Sequence, residues 1–238
     1  MQTASCQQTR ARPRARRRAP TRRSIALALV ALAWGLVASG ATADRLVLEP
    51  RSEAVRFTLG ATLHEVEGTL DITSGEVVFP EGGGECSGEI VLDARSARTG
   101  NARRDEQMHA VALESGRHRR IVFRPRRLAV EERLESAARV RVEGLLELHG
   151  VSRGIEMSVR VALDPATPAS SERVPGRPVI VELELPVRYV DWGVADVSNF
   201  LLRVDDTVHV SVRALGRWLP EAGLTKTPSP EAPTPPSD

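Results

Sequence analysis

The chain has 238 residues, 27% of them charged and only 3% aromatic, with a formal charge of +2. That slight basic excess is carried entirely by the first 43 residues, which hold eight Arg and no acid; the rest has 25 basic residues against 31 acidic ones, a formal −6. An acidic body argues against nucleic acid as a partner, and two cysteines, Cys6 and Cys86, exclude a disulfide scaffold.

In chain order, the Arg-rich start runs into "IALALVALAWGLV" (Ile25 to Val37) and then Ala41-Thr42-Ala43. A charged region, a short apolar region and an A-x-A site predict an export leader over residues 1–43. The apolar run is shorter than the ~20 residues of a membrane span, and Thr21 to Leu27 also fits a twin-arginine signal. No lipobox cysteine follows. Export predicts a periplasmic or secreted protein.

Residues 44–219 then alternate with period two. Val55, Phe57 and Leu59 share one face, Val66, Gly68, Leu70 and Ile72 the next, and the pattern recurs to Val208, Val210 and Val212. Turn residues such as Gly60, Ser74-Gly75, Gly82 to Gly84, Gly150 and Pro165 separate the runs. Alternation of this kind marks strands with one wet and one dry face. About eight in sequence predict an all-β, antiparallel sandwich or closed barrel of one domain.

Two segments break the rhythm. "DPATPASSERVPGRP" (Asp164 to Pro178) predicts a surface loop. "TGNARRDEQMH" (Thr99 to His109) predicts an N-cap followed by an amphipathic helix from Ala102 to about Leu113, with Met108, Val111 and Leu113 on its apolar side. Residues 220–238 are Pro-rich and predict an extended, disordered tail.

Several motifs together resemble the YceI-like family, lipocalin-like polyisoprenoid-binding proteins of bacterial periplasms. "LDARSARTGNARRDEQMH" resembles its strand-to-helix signature at Asp93, Ser96, Thr99, Gly100, Asn101, Arg104 and Asp105. "VEGLLELHGVSRGIEMSV" resembles its hairpin motif at Gly144, Leu146, His149, Gly150 and Val151, and "DWGVADVSNFLLRVDDTVHVSV" its closing pattern. The likeness extends over nearly all of Asp44 to Gly216. It implies an eight-stranded antiparallel lipocalin-like barrel, closed at one end by the short helix. It also implies that the lumen holds an amphiphile with a long apolar tail, such as an isoprenoid, an isoprenoid quinone or a fatty amide. No enzyme activity or cofactor is implied, and transient membrane contact and a homodimer are both permitted. In one place the chain departs from the pattern: His118 and Arg119 stand where many members have an aromatic pair and Tyr-Pro.

Parity assigns Phe57, Leu59, Ile90, Leu92, Phe123, Leu146, Leu148, Met157, Val181 and Leu183 to the lumen, with Met108 as a lid and Trp192 at the rim. The bland alternative is a dry, packed core with no ligand, the interior of a structural or stress-related interaction domain. Arg104 could anchor a head group; the plainer expectation is that it ties loop carbonyls together and pairs with Asp105 or Asp93. For His149 the plainer expectation is a bond to the backbone of its own turn. A metal site would need His64, His109 and His149 to converge from separate elements, and no nucleophile motif supports catalysis.

Overall fold

The computed structural model describes residues 43–61, 65–164, 175–196 and 204–220. The expected leader up to Thr42, His64, most of the Pro/Ser-rich loop, residues 197–203 of the closing motif and the tail from Glu221 lie outside them.

Ten strands occupy eight positions in one antiparallel sheet that closes on itself. β1 (Ala43–Leu48) and β2 (Arg51–Ala61) share the first position, because both pair with β3 (Glu65–Pro80) and β10 (Val204–Leu219). The break between them falls at Glu49-Pro50, where proline has no N–H to give to a ladder. Likewise β4 (Gly83–Glu85) and β5 (Ser87–Arg98) lie along β6 (Arg120–Arg133), interrupted only at Cys86. The remaining wall is β7 (Ala137–Leu148), β8 (Val151–Leu163) and β9 (Arg177–Val187). β9 pairs with β10, which pairs with β2, so no strand edge is left at the seam.

Alternation sets which side of the wall each residue faces. Val55, Ile72, Phe123, Val140, Val142, Met157, Val159, Val181 and Ala214 form one buried inner cluster. The outer face carries ion pairs between neighbouring strands, such as Arg160–Glu182–Arg213 and Arg120–Glu89–Arg124–Glu147. Half-exposed pairs of this kind contribute little stability each; their effect is to keep the exterior wet.

The connections sort to two ends. At one lie the β5–β6 connector, the β7–β8 hairpin and the β9–β10 connector; at the other lie the turns after β3, β6 and β8, the start of β1 and the end of β10. The β7–β8 hairpin turns on two residues, His149 and Gly150, both at positive φ (52° and 76°). That is the type I′ geometry, whose twist matches the flanking strands.

In the β5–β6 connector the helix differs from expectation. α1 is Ala102–Gln107, capped by the Asn101 side chain, and Met108–Ala112 continues as a π-turn in which Leu113 N–H donates to the Met108 carbonyl at 2.8 Å. The wider turn shifts the inward face: Met108, Ala112 and Leu113 reach the lumen, whereas Val111 is 54% exposed.

Candidate functional site

Inside the barrel lies a cavity of about 450 Å³, in the range of small-molecule sites. Its wall is built by the alternating inward positions of every strand position. Phe57 and Leu59 come from β2, Ile90 and Leu92 from β5, Phe123 from β6, Leu146 and Leu148 from β7. Met157 comes from β8, Val181 and Leu183 from β9, and Met108 closes over the space from the π-turn. The ten parity-assigned residues and the expected lid residue Met108 therefore meet around one space. β10 adds Val208, Val210 and Val212, whose shared face the alternation had already marked.

Why the space is not filled is a matter of where the rings lie. Phe57 stands opposite Gly68 across the β2–β3 ladder, and a Cβ on Gly68 would come within 2.2 Å of the ring. At Gly144 the same added atom would come within 2.7 Å of the Phe123 ring. Each inward glycine is a recess that holds a phenyl ring against the wall. With the rings held there and Val, Leu and Ile elsewhere, an eight-stranded barrel keeps room for one ligand.

Trp192 does not line the cavity. It is 5% exposed, its indole N–H donates to the Leu146 carbonyl at 2.9 Å, and it packs with Val187, Tyr189 and Val194. An indole at the rim would have kept one edge wet; here the 3₁₀ turn Tyr189–Trp192 folds it inward, where the β7 carbonyl satisfies its donor.

The same turn delivers a residue that alternation could not mark. Tyr189 lines the cavity, is 7% exposed, and its buried hydroxyl has no hydrogen-bond partner among the described residues. Burial first, then the carboxylates of Asp196, Asp206 and Asp205, push its phenol pKa up, so it stays a donor. At the opposite end, Asp44, Glu81 and Arg133 add charge to the lining. Asp44 is buried and accepts the Trp218 indole N–H at 3.1 Å, and Arg177 lies over the Trp218 ring, 5.9 Å from its centroid.

The polar signature of the connector is spent on its own backbone. Asp105 accepts the Thr99 N–H at 2.9 Å and the Thr99 hydroxyl, and Asn101 accepts the Arg104 N–H at 3.1 Å. Arg104 reaches back to Thr99, donating to its hydroxyl at 2.7 Å and its carbonyl at 3.0 Å. The expected pairing of Arg104 with Asp105 or Asp93 is thus replaced by contact with Thr99, because Asp93 is occupied by a two-pronged bond from Arg95. That bond is the main reason the Asp93 carboxyl lies below its ordinary pKa, against the opposing effect of burial. Ser96 donates to the Asp93 carbonyl at 2.6 Å and accepts the Asp71 N–H at 2.8 Å, joining β5 to β3.

Of the three histidines that a sequence-derived triad would need, two are described. His109 bonds the Ser115 hydroxyl at 3.0 Å, and His64 lies outside the described residues. His149 bonds the Glu114 carboxylate at 2.9 Å instead of its own turn, since its positive φ turns the side chain toward the neighbouring connector. Cys86 is a free thiol on the lining, and burial pushes its pKa up.

Comparison with known proteins adds to this geometry. A structure of a polyisoprenoid-binding domain from Saccharophagus degradans, implicated in plant cell wall breakdown, is similar at 18% identity and a TM-score of 0.51, covering 72% of this chain and 97% of that one. The Campylobacter jejuni YceI protein is similar at 14% identity and a TM-score of 0.51, covering 66% of this chain and 86% of its own. At such identities the likeness concerns the fold. No protein with a curated description matches the chain. The YceI-like domain model, however, matches residues 46–215, well over half of the sequence and nearly all of the barrel, and the chain belongs to the YceI-like family.

Proposed function

We propose that the barrel sequesters or carries an amphiphile whose long apolar tail occupies the lumen, and that it does so without chemistry. The observation that carries this reading is the apolar cavity of about 450 Å³ enclosed by the eight-position wall, which a dry packed core would not leave. Each CH₂ moved from water into such a lumen gains roughly 0.8 kcal/mol. Ten of them gain about 8 kcal/mol on that basis, enough to outweigh a large part of the ordering cost. The polyisoprenoid-binding description of the Saccharophagus degradans domain supports the same ligand class.

The Tyr189 hydroxyl, without a partner among the described residues, favours ligands with a hydrogen-bond acceptor near the helical end. A quinone or amide carbonyl meets that need; a bare hydrocarbon does not. Export through a leader over residues 1–43, to the periplasm or out of the cell, completes the reading.

The test is mass spectrometry of the full chain purified without detergent, native against solvent-extracted. A species released by solvent, and lost in folded Leu92→Glu or Leu148→Glu protein, is the expected result. A clean protein mass that stays unchanged after incubation with isoprenoid quinones and fatty amides would overturn the proposal in favour of an interaction domain. Within the proposal, Tyr189→Phe should weaken a carbonyl-bearing ligand about 5- to 10-fold, the worth of one hydrogen bond. Its affinity for a hydrocarbon isoprenoid should not change.

A further inference from the structure

We infer that Glu114, His118 and His149 form a binding site for a divalent transition-metal ion, zinc(II) foremost, that staples the β5–β6 connector to the β7–β8 hairpin. This site is independent of the ligand proposed for the lumen.

One donor atom from each of the three residues lies within 4.8 Å of the other two. The Glu114 Oε2 is 2.9 Å from His149 Nε2 and 4.0 Å from His118 Nε2, and the two imidazole rings stand 4.4 Å apart between centroids. Three N/O ligands held about 2.0–2.1 Å from a tetrahedral zinc lie roughly 3.3 Å from one another. The two separations from Glu114 bracket that value and the third lies within 4.8 Å, so small side-chain adjustments would bring the three donors to one ion. Arg117 holds the other oxygen, Glu114 Oε1, at 3.3 Å, which leaves Oε2 turned toward the imidazoles.

The backbone is shaped around the cluster. Glu114 sits at positive φ (42°), a region that side chains other than glycine enter at a cost and that recurs where geometry is set by function, while the hairpin turn itself sets His149 at positive φ (52°). Gly150 has no room for a Cβ, which would come within 2.9 Å of His118 Cε1. The bare backbone of the hairpin therefore seats the second imidazole. All three residues are partly exposed, so an ion can arrive from solvent and keep water in its fourth position.

Two imidazoles and one carboxylate are the donor set of a three-ligand zinc site, and nitrogen donors disfavour magnesium and calcium. Leu113 and Leu148, each one residue from a ligand, line the cavity. An ion at this site would therefore fix two neighbouring segments of the lid.

Chelator-stripped full chain, titrated calorimetrically with zinc(II) and separately with magnesium(II), tests the assignment. The expected result is one equivalent of zinc bound with micromolar affinity, no magnesium binding, and a melting temperature raised by about 5–10 °C at a hundredfold excess over Kd. Glu114→Gln and His118→Gln should each weaken zinc at least about tenfold, since loss of mere outer-shell partners already costs that much. His209→Gln, on the exposed outer face of β10, should leave it unchanged. In unsubstituted protein the ring resonances of His118 and His149 should shift with the first equivalent, which keeps the test independent of how the variants fold. No micromolar binding, equal binding of magnesium, affinity retained in the folded cluster variants, or unmoved His118 and His149 resonances would each overturn the site.

Discussion

The barrel wall and the lid at its helical end both bury apolar side chains, yet one encloses space and the other is solid. In the wall, Val55, Ile72, Phe123, Val140 and their neighbours ring a cavity, and the bulky rings are set into glycine recesses at Gly68 and Gly144. In the lid, Val187, Tyr189, Trp192 and Val194 pack directly on one another and on Leu146 and Leu148. The wall can stay open because strand spacing is held by backbone ladders all the way round, so its inward side chains need not meet in the middle. Among the described residues, no ladder crosses the mouth at the lid. Its connectors are held by an indole donating to a β7 carbonyl, by Thr99, Arg104 and Asp105 closing on themselves, and by Glu114 reaching His149.

The largest expected effect comes from breaking the solid side. Trp192→Ala should cost about 3–5 kcal/mol, the usual range for deleting a buried large aromatic, read as a lower urea midpoint. A loss below about 1 kcal/mol would mean that the lid does not depend on this cluster. On the open side, Gly68→Ala should cost about 1–3 kcal/mol by overpacking, because its methyl pushes the Phe57 ring off the wall. The displaced ring would then take up lumen volume, and Gly68→Ala combined with Phe57→Leu should restore both stability and ligand capacity. If Gly68→Ala alone were neutral on both counts, the recess would not be what keeps the lumen clear.

The smallest effect lies near the junction of wall and lid. Asp93 has a folded pKa held down by Arg95, so its contribution to stability is fully present above the unfolded value of ~3.9 and is lost as pH falls through the lower folded value. Melting temperature should accordingly fall with pH across that acidic window, and Asp93→Asn should flatten the dependence slightly. An unchanged profile in the variant would assign the acid sensitivity to other carboxylates.

Much of the wall was legible in the sequence. A period of two leaves each residue only two directions, so Phe57, Leu92, Leu148 and Leu183 could be assigned to the lumen from parity alone. The cap at Asn101 was equally readable, because it depends on residues a few positions apart. The lid beyond its first turn was not. A π-turn changes which residues face inward without altering composition, so Val111 read as part of the helix's apolar side and Ala112 did not. Glu114 and His118 stand four residues apart, a spacing that could have drawn notice, but nothing in that spacing brings in His149, 31 positions beyond His118.

By itself, then, the sequence determined the architecture: alternating strands, turn residues between them, a capped helical insert, and the motifs of the YceI-like family. Only the tertiary structure decided what stands inside and above the wall. Parity says that a residue points inward but not whether it meets another side chain there. In the folded chain Phe57 lies over Gly68 and Phe123 against Gly144, beside a lumen that stays open. Contacts among connectors depend on where distant turns arrive in space, and that arrival buried the Tyr189 hydroxyl at the cavity and faced Glu114 with His118 and His149.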